Sequence, residues 1–227
     1  TMLLVIKFRL GGALRFLSHA ETLRVFQRAC VRAGINIQYS QGFNPRPKMS
    51  LPLPRPVGIE SDDELLSLRI YKGIRAQEQK STSDDDELCS FVKAELSAQL
   101  PEGCELLSVI TARTGRPFQP CSATYVLAVQ PEHLNEGLRA RIERLLASES
   151  INIRRQTDKK NSKIKNVDVR DFLKSIKTDN RSIIVECSIS TAGSIRIEEI
   201  LSLLELDEGK LALPIRRIDV QWQDDKS

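Results

Sequence analysis

The order in which strand-like and helix-like segments follow one another restricts the fold of this chain more than any other feature. Over the first half, β-rich segments and segments of helical periodicity alternate in the order β-α-β-β-α-β. That order is typical of a ferredoxin-like fold. Strands are predicted at 2–10, 35–39, 64–71 and 104–112, and helices at 19–33 and 85–100.

A similar order recurs in the second half of the chain. Strands are predicted at 125–129, 151–156, 182–190 and 214–222, and helices at 132–148 and 197–206, while 167–176 is ambiguous between strand and turn. We therefore predict an α+β protein of two tandem ferredoxin-like (βαββαβ) halves. The predicted boundaries are 2–113 for the N-terminal half, 114–122 for a linker and 123–223 for the C-terminal half.

Charge is distributed unevenly along the chain. Residues 1–60 carry nine basic and two acidic side chains, whereas residues 61–100 carry five basic and nine acidic ones. A basic segment of this kind favours an anionic partner. We therefore expect a binding site in the N-terminal half.

One candidate site is the start of the first predicted helix. Ser18 and Glu21 have the spacing of a capping box, in which each side chain bonds the other residue's backbone amide. Arg15, Ser18 and His19 stand at this helix start, close in sequence to the Gly11-Gly12 turn. Free amides, arginine and glycine together favour a phosphate or carboxylate seat. The alternative interpretation is a capped helix start with no ligand.

A second candidate is the segment Gly42-Phe43-Asn44-Pro45-Arg46-Pro47-Lys48. Its glycine and prolines indicate a stiff turn, and five prolines between 41 and 56 predict loop, polyproline or edge strand. Binding residues are often carried by such loops, which makes Asn44, Arg46 and Lys48 candidates for anion or RNA binding. We expect the helix start and this loop to meet in one positively charged cradle.

Weaker signals lie elsewhere. Arg24, Arg28 and Arg32 fall on one side of the first predicted helix, opposite an apolar side, and are either a solvated face or a secondary binding surface. Asp168 and Arg170 flank Val169 and would share one face of a strand, where a local ion pair is the simpler interpretation. Four lysines between 159 and 165 are typical of a solvated hairpin tip.

Motif content argues against several functions. The sequence contains no P-loop, GxGxxG, GxSxG or CxxxCxxC motif, and its five cysteines and two histidines lack metal-site spacing. We expect no metal or cofactor, buried free thiols, and a cytoplasmic location without membrane contact, since no apolar run reaches membrane-spanning length.

Several of these segments resemble a known family. Arg15-Phe16-Leu17-Ser18-His19, the segment from Tyr39 to Ser50, and Val57-Gly58-Ile59-Glu60-Ser61 are similar to the bacterial radical-SAM-linked proteins, a domain of unknown function. Val167-Asp168-Val169-Arg170-Asp171-Phe172-Leu173 is similar to the family's downstream signature, which has a VDLR core. Leu53-Pro54-Arg55-Pro56 departs from the family's usual stretch.

The resemblance implies a partner more than an activity. Such proteins are fused to, or encoded beside, radical SAM proteins with a cobalamin-type domain, so it implies a radical SAM partner. The positions it carries over are Arg15, Ser18, His19, Asn44 and Arg46, with Asp168 and Arg170.

Three functions remain open from sequence. We favour a non-catalytic accessory module that holds RNA, such as tRNA or rRNA, or an RNA-associated substrate for the radical SAM partner. An alternative is a metal-independent endoribonuclease, with His19 activating the ribose 2′-hydroxyl and Arg46 or Lys48 stabilising the charged phosphorane. A protein-only adaptor is the third.

Overall fold

A computed structural model describes residues 1–71, 85–112, 118–156, 164–179 and 181–223. The chain divides into two compact units, the first comprising Thr1–Gln119 and the second Pro120–Trp222. Each unit combines helices with antiparallel strands, which confirms the α+β class. The predicted linker falls partly on 113–117, outside the described residues, and its end differs from the prediction because Pro120 already belongs to a strand.

The first unit orders its strands β2-β3-β1-β4, and each neighbouring pair is antiparallel. Its elements are β1 (Met2–Leu10), α1 (His19–Arg32), β2 (Met49–Ser50), β3 (Glu60–Ile70), α2 (Asp85–Ser97) and β4 (Cys104–Thr111). A 3₁₀ turn, Gly12–Phe16, lies between β1 and α1.

The core of this unit forms because alternate strand residues face the helices. Leu4, Ile6 and Phe8 of β1 are fully buried at a spacing of two residues. Phe26 of α1 is also fully buried, and its ring meets that of Phe8 edge to face at 4.7 Å between centroids. In α2, the helical spacing places Leu88, Val92 and Leu96, four residues apart, on one buried face.

The predicted strand at 35–39 is wrong as a regular strand. The structure has two isolated bridges there, Ile37 with Ile70 and Tyr39 with Pro47. The two-residue strand β2 takes the edge instead, pairing Met49 with Leu68 and Ser50 with Ser67. Pro45, Pro47 and Pro52 surround it, and their missing amide donors keep the edge strand short.

The second unit places β5 between β9 and β11, while β8 and β10 pair with β9. Its elements are β5 (Pro120–Ala128), α3 (Glu136–Ala147), β6 (Asn152–Gln156), β7 (Ile164–Asp168), β8 (Leu173–Thr178), β9 (Ser182–Ser190), β10 (Gly193–Ser194), α4 (Ile197–Leu204) and β11 (Arg216–Trp222). The ambiguous segment 167–176 resolves into the end of β7, a 3₁₀ turn at Arg170–Phe172, and most of β8.

β6 and β7 form a separate two-stranded hairpin between α3 and β8. The predicted basic turn falls mainly on 157–163, outside the described residues. Leu127, Ile183 and Val185 of the sheet and Ile200 and Leu204 of α4 are buried in this unit. None of the helices in the described ranges is both long and apolar enough to cross a membrane.

Candidate functional site

The segment 38–48 forms a hairpin at the edge of the first unit's sheet. The Ser40 amide donates to the Arg46 carbonyl at 2.8 Å, and the Arg46 amide donates to Ser40 Oγ at 2.9 Å. The Lys48 amide closes the base by donating to the Gln38 carbonyl at 2.7 Å. Gly42 at the tip has φ +122°, a conformation that L side chains rarely adopt. These bonds and Pro45 hold the 38–48 hairpin in one shape.

The tip of this hairpin points its polar and aromatic side chains into solvent. Phe43, Asn44, Arg46 and Lys48 are all exposed, and Phe43 is 106% exposed. The side chains of Arg46 and Lys48 form no hydrogen bond or ion pair with any residue that the structure describes. Their charges are therefore available to an external anion.

The helix start supplies its own anion. The Glu21 carboxylate accepts from the Ser18 amide at 2.8 Å and from the Ser18 hydroxyl at 2.6 Å, and the Glu21 amide donates to Ser18 Oγ at 3.3 Å. The capping box predicted from sequence is thus confirmed. Hydrogen bonds from the Ser18 side chain and amide lower the pKa of Glu21. A carboxylate already at the helix terminus weakens the case for a second anion there.

Arg15 folds back onto its own 3₁₀ turn. Its Nη1 donates to the Gly12 carbonyl at 3.0 Å, and its guanidinium lies 4.3 Å from the centre of the Phe16 ring. Its carbonyl accepts from the Gly58 amide at 2.8 Å. Arg15 thus helps to hold the turn before α1, in addition to carrying charge.

A buried arginine that sequence reasoning counted only as charge organises this region. Arg55 donates from Nη1 at 2.7 Å to the Arg15 carbonyl and from Nη2 at 3.0 Å to the Leu17 carbonyl. It also donates to the carbonyls of Leu14, Pro56 and Ile59. Its position among prolines in a basic stretch gave no signal of burial, because three of the carbonyls that it binds come from a distant turn.

His19 lies exposed beside a small pocket. The pocket has a volume of about 10 Å³, room for roughly one water molecule. Its lining is Phe8, Leu10, His19, Thr22, Leu51, Arg55 and Glu64. Arg55 and Glu64 are both buried, so a cation, an acid and the His19 imidazole line the same pocket. Neither residue was predicted as part of a site, since both lie in segments that read as proline-rich loop and strand.

The 38–48 hairpin is held by β3 and not by direct bonds to the helix start, among the residues that the structure describes. The hairpin is anchored at Arg69, whose carbonyl accepts from the Gln38 amide and whose amide donates to the Lys48 carbonyl. Leu51, three residues after Lys48, lines the pocket together with His19, so the chain that leaves the hairpin runs to the helix start. Among the described residues, no hydrogen bond or ion pair joins Asn44, Arg46 or Lys48 to the helix start. The single cradle expected from sequence stays a prediction.

The arginine ridge of α1 divides into different roles. Arg24, Arg28 and Arg32 are all exposed, opposite the buried Phe26 side. Arg32 is committed to structure, since its Nε donates to Gln99 Oε1 at 3.1 Å and its Nη2 to the Gln99 carbonyl at 2.5 Å. Arg24 lies close enough to Glu21 to lower the pKa of that carboxyl.

The side chains of Asp168 and Arg170 both bind backbone groups and form no ion pair with each other. Asp168 Oδ1 accepts from the amides of Ile151 at 2.9 Å and Arg170 at 3.0 Å. The Arg170 guanidinium donates to the carbonyls of Leu146, Ser148 and Leu173 at 2.8 to 2.9 Å. Leu146 belongs to the last turn of α3, so Arg170 caps that helix. These bonds give the second sequence signature a structural role.

Residues that could hold a metal are not grouped in the described part of the chain. No set of three or more histidine, cysteine, aspartate and glutamate side chains has a suitable arrangement there. The five cysteines are free thiols, and Cys30, Cys89 and Cys187 are buried.

Comparison with known proteins gives a family match and little more. Residues 4–202 match a family described as "uncharacterized protein conserved in bacteria (DUF2344)". No curated protein matches the chain. Among solved structures, the chain is similar to the acetolactate synthase small subunit of Thermotoga maritima, with 10% identity over 98% of this chain and 96% of that one. The TM-score is 0.23, too low to support a functional argument.

Proposed function

We propose a binding function for this chain, which belongs to the family of uncharacterized proteins conserved in bacteria (DUF2344). It acts as a non-catalytic accessory module that holds RNA, or an RNA-associated substrate, for a radical SAM partner. The observation that carries the proposal is the 38–48 hairpin, a hydrogen-bonded frame on which the exposed cations Arg46 and Lys48 have no partner in the described part of the chain.

The hairpin is suited to phosphate because its cations are not already neutralised. Arg9 of β1 is also exposed, but its Nη1 lies 3.3 Å from Glu105 Oε2, and the two side chains form an ion pair. Arg46 and Lys48 have no such acid among the residues that the structure describes, and both can approach a phosphate without breaking a described bond. Each phosphate contact releases condensed counterions, so binding through these residues would depend strongly on salt.

The radical SAM partner is proposed on the sequence resemblance alone. Such an encounter would take place in the cytoplasm, an environment in which free thiols such as Cys30 and Cys187 persist. Co-purification of the chain with a radical SAM protein from its own cell would support this step. Recovery of that complex after complete RNA removal, with no RNA binding by the chain alone, would favour the protein-only adaptor instead.

The proposal extends to the fold of each unit. We propose that each unit is a ferredoxin-like module. The supporting observations are the order β2-β3-β1-β4 in the first unit and, in the second, β8 and β10 on β9, followed by β5 and β11. In the second unit, the β6–β7 hairpin would be an insertion after the first helix of the module.

Fluorescence anisotropy with labelled tRNA or an rRNA fragment tests the binding function. We expect the affinity of the wild type to fall steeply with salt, and Arg46→Ala to weaken binding at low salt. Arg9→Ala is the matched control, because that arginine is exposed but paired with Glu105. Absence of salt-dependent binding, in wild type and Arg46→Ala alike, would remove the RNA function.

The exposed His19 suggests a second candidate function, because it lines a pocket with the buried residues Arg55 and Glu64. In a metal-independent endoribonuclease, His19 would take the 2′-hydroxyl proton of a bound ribose. Incubating RNA with the protein in EDTA tests this role. Cleavage that is lost in His19→Ala supports it, whereas cleavage that persists in His19→Ala, or no cleavage by the wild type, rejects it.

A further inference from the structure

We propose that Phe43 is a base-stacking residue, which makes the 38–48 hairpin a site for unpaired nucleotides rather than for duplex RNA. The inference rests on the proposed RNA function and adds the kind of RNA that is bound. Its basis is the juxtaposition of a fully solvent-exposed ring with two available cations on one short hairpin.

The exposure of Phe43 has no explanation in the folding of the chain. Its side chain is 106% exposed, so it contributes nothing to the core. Tyr39, at the base of the same hairpin, packs against the core cluster of the unit. The hairpin thus directs one aromatic ring inward and the other outward. A ligand that covered the outer ring would gain the free energy of burying its apolar surface.

The hairpin also lowers the cost of ordering that ring on binding. Three hydrogen bonds join its two arms at Gln38, Ser40, Arg46 and Lys48. Pro45 restricts the backbone beside the ring, and Gly42 allows the turn with its φ of +122°. Because the loop is shaped before binding, little conformational entropy is lost when a base stacks on Phe43.

The chemistry around the ring favours nucleic acid over an apolar protein partner. The sequence contains no aspartate or glutamate between Glu21 and Glu60, so no acid from this stretch opposes a phosphate. Asn44, Arg46 and Lys48 lie within five residues of Phe43 and are exposed with it. An aromatic face beside cations is the arrangement used to bind single strands, in which bases stack and phosphates pair. Stacked bases inside a duplex are not available to such a ring.

Anisotropy with two labelled probes tests the inference: a single-stranded RNA of about 12 nucleotides without self-complementarity, and a duplex of the same sequence. We expect the wild type to prefer the single strand. Phe43→Ala should weaken single-strand binding about 5- to 150-fold, the range of one lost base–aromatic stack. Its salt dependence should match that of the wild type, because no charge is removed.

Two further variants assign the effect to the ring on the hairpin. Phe43→Trp should bind the single strand at least as well as the wild type, since it keeps a stacking face. Phe16→Ala removes an aromatic ring that is 59% exposed outside the hairpin and should bind like the wild type. A single strand with abasic nucleotides should bind the wild type and Phe43→Ala equally.

The outcomes separate this inference from the function beneath it. If the wild type binds the single strand and Phe43→Ala binds it equally well, base stacking by Phe43 is wrong while the RNA function stands. An equal loss in Phe16→Ala, or equal binding of duplex and single strand, also overturns it. If the wild type binds neither probe, the RNA function and this inference fail together.

Discussion

Arginine side chains in this chain serve two different purposes. Arg55 and Arg170 are directed inward and donate to backbone carbonyls at turns and at a helix end. Arg46 is exposed, and its side chain bonds no residue that the structure describes. The planar guanidinium suits the first role because it donates to several acceptors at once.

Replacing Arg55 should damage the fold of the first unit. In Arg55→Leu, the carbonyls of Leu14, Arg15 and Leu17 lose a donor in a partly buried setting. We expect the free energy of unfolding to fall by about 3 kcal/mol, measured by urea denaturation. Arg46→Leu, at an exposed position, should change it by no more than about 0.5 kcal/mol. Equal effects of the two variants would contradict the structural role of Arg55.

Native thiol reactivity should follow burial. Burial raises the pKa of Cys30, Cys104 and Cys187 to about 12, so these groups stay protonated at pH 8. We expect iodoacetamide to modify them slowly in the folded protein and rapidly in urea, as read by peptide mass spectrometry. Rapid native modification of Cys30 would contradict its position inside the first unit's core.

The Asp168 carboxylate should make the second unit sensitive to acid. Amides of Arg170 and Ile151 lower the pKa of Asp168 in the folded state. Its ionised form therefore stabilises the fold above the unfolded pKa of about 3.9, and this contribution is lost as pH falls through the folded value. Stability measured between about pH 5 and pH 2 should fall less in Asp168→Asn than in wild type. Asp171→Asn, in which those amides keep their acceptor, should behave like the wild type.

At the scale of elements, the 38–48 hairpin depends on a single backbone conformation. Gly42→Ala places a Cβ where φ is +122°, although the space around it is open. We expect a small loss of stability, about 1 kcal/mol, and a weakened affinity for single-stranded RNA because the ring and the cations are displaced. Circular dichroism and anisotropy on the same sample would separate the two effects. Unchanged RNA affinity would show that the hairpin shape is not required.

The sequence predicted those elements that depend on interactions between residues close together in the chain. The capping box at Ser18 and the apolar side of α1 follow from spacing alone, and both are present. The edge strand did not follow from its sequence, because 35–39 has the composition of a strand but makes only isolated bridges. Which of two neighbouring segments takes a sheet edge depends on tertiary pairing with β3, which propensity does not contain.

At the scale of the whole molecule, the α+β class was predictable and the site was predictable only in parts. The sequence identified the exposed residues Asn44, Arg46 and Lys48 as candidates. A proline-rich segment is predicted to form a surface loop, and polar side chains on such a loop are exposed. It could not identify Arg55 and Glu64 beside His19, since that pocket joins segments that are distant along the chain. Long-range placement of this kind is decided by strand register.

The most direct test of this account is the salt dependence of single-stranded RNA binding in two double variants of equal charge loss. Arg46→Ala/Lys48→Ala removes the hairpin cations, and Lys165→Ala/Lys177→Ala removes two exposed cations from the second unit. The account predicts that the slope of log K against log salt falls in magnitude by about 1.4 in the hairpin variant and is unchanged in the other. Equal slopes in wild type and the hairpin variant, or equal losses in both variants, would contradict it.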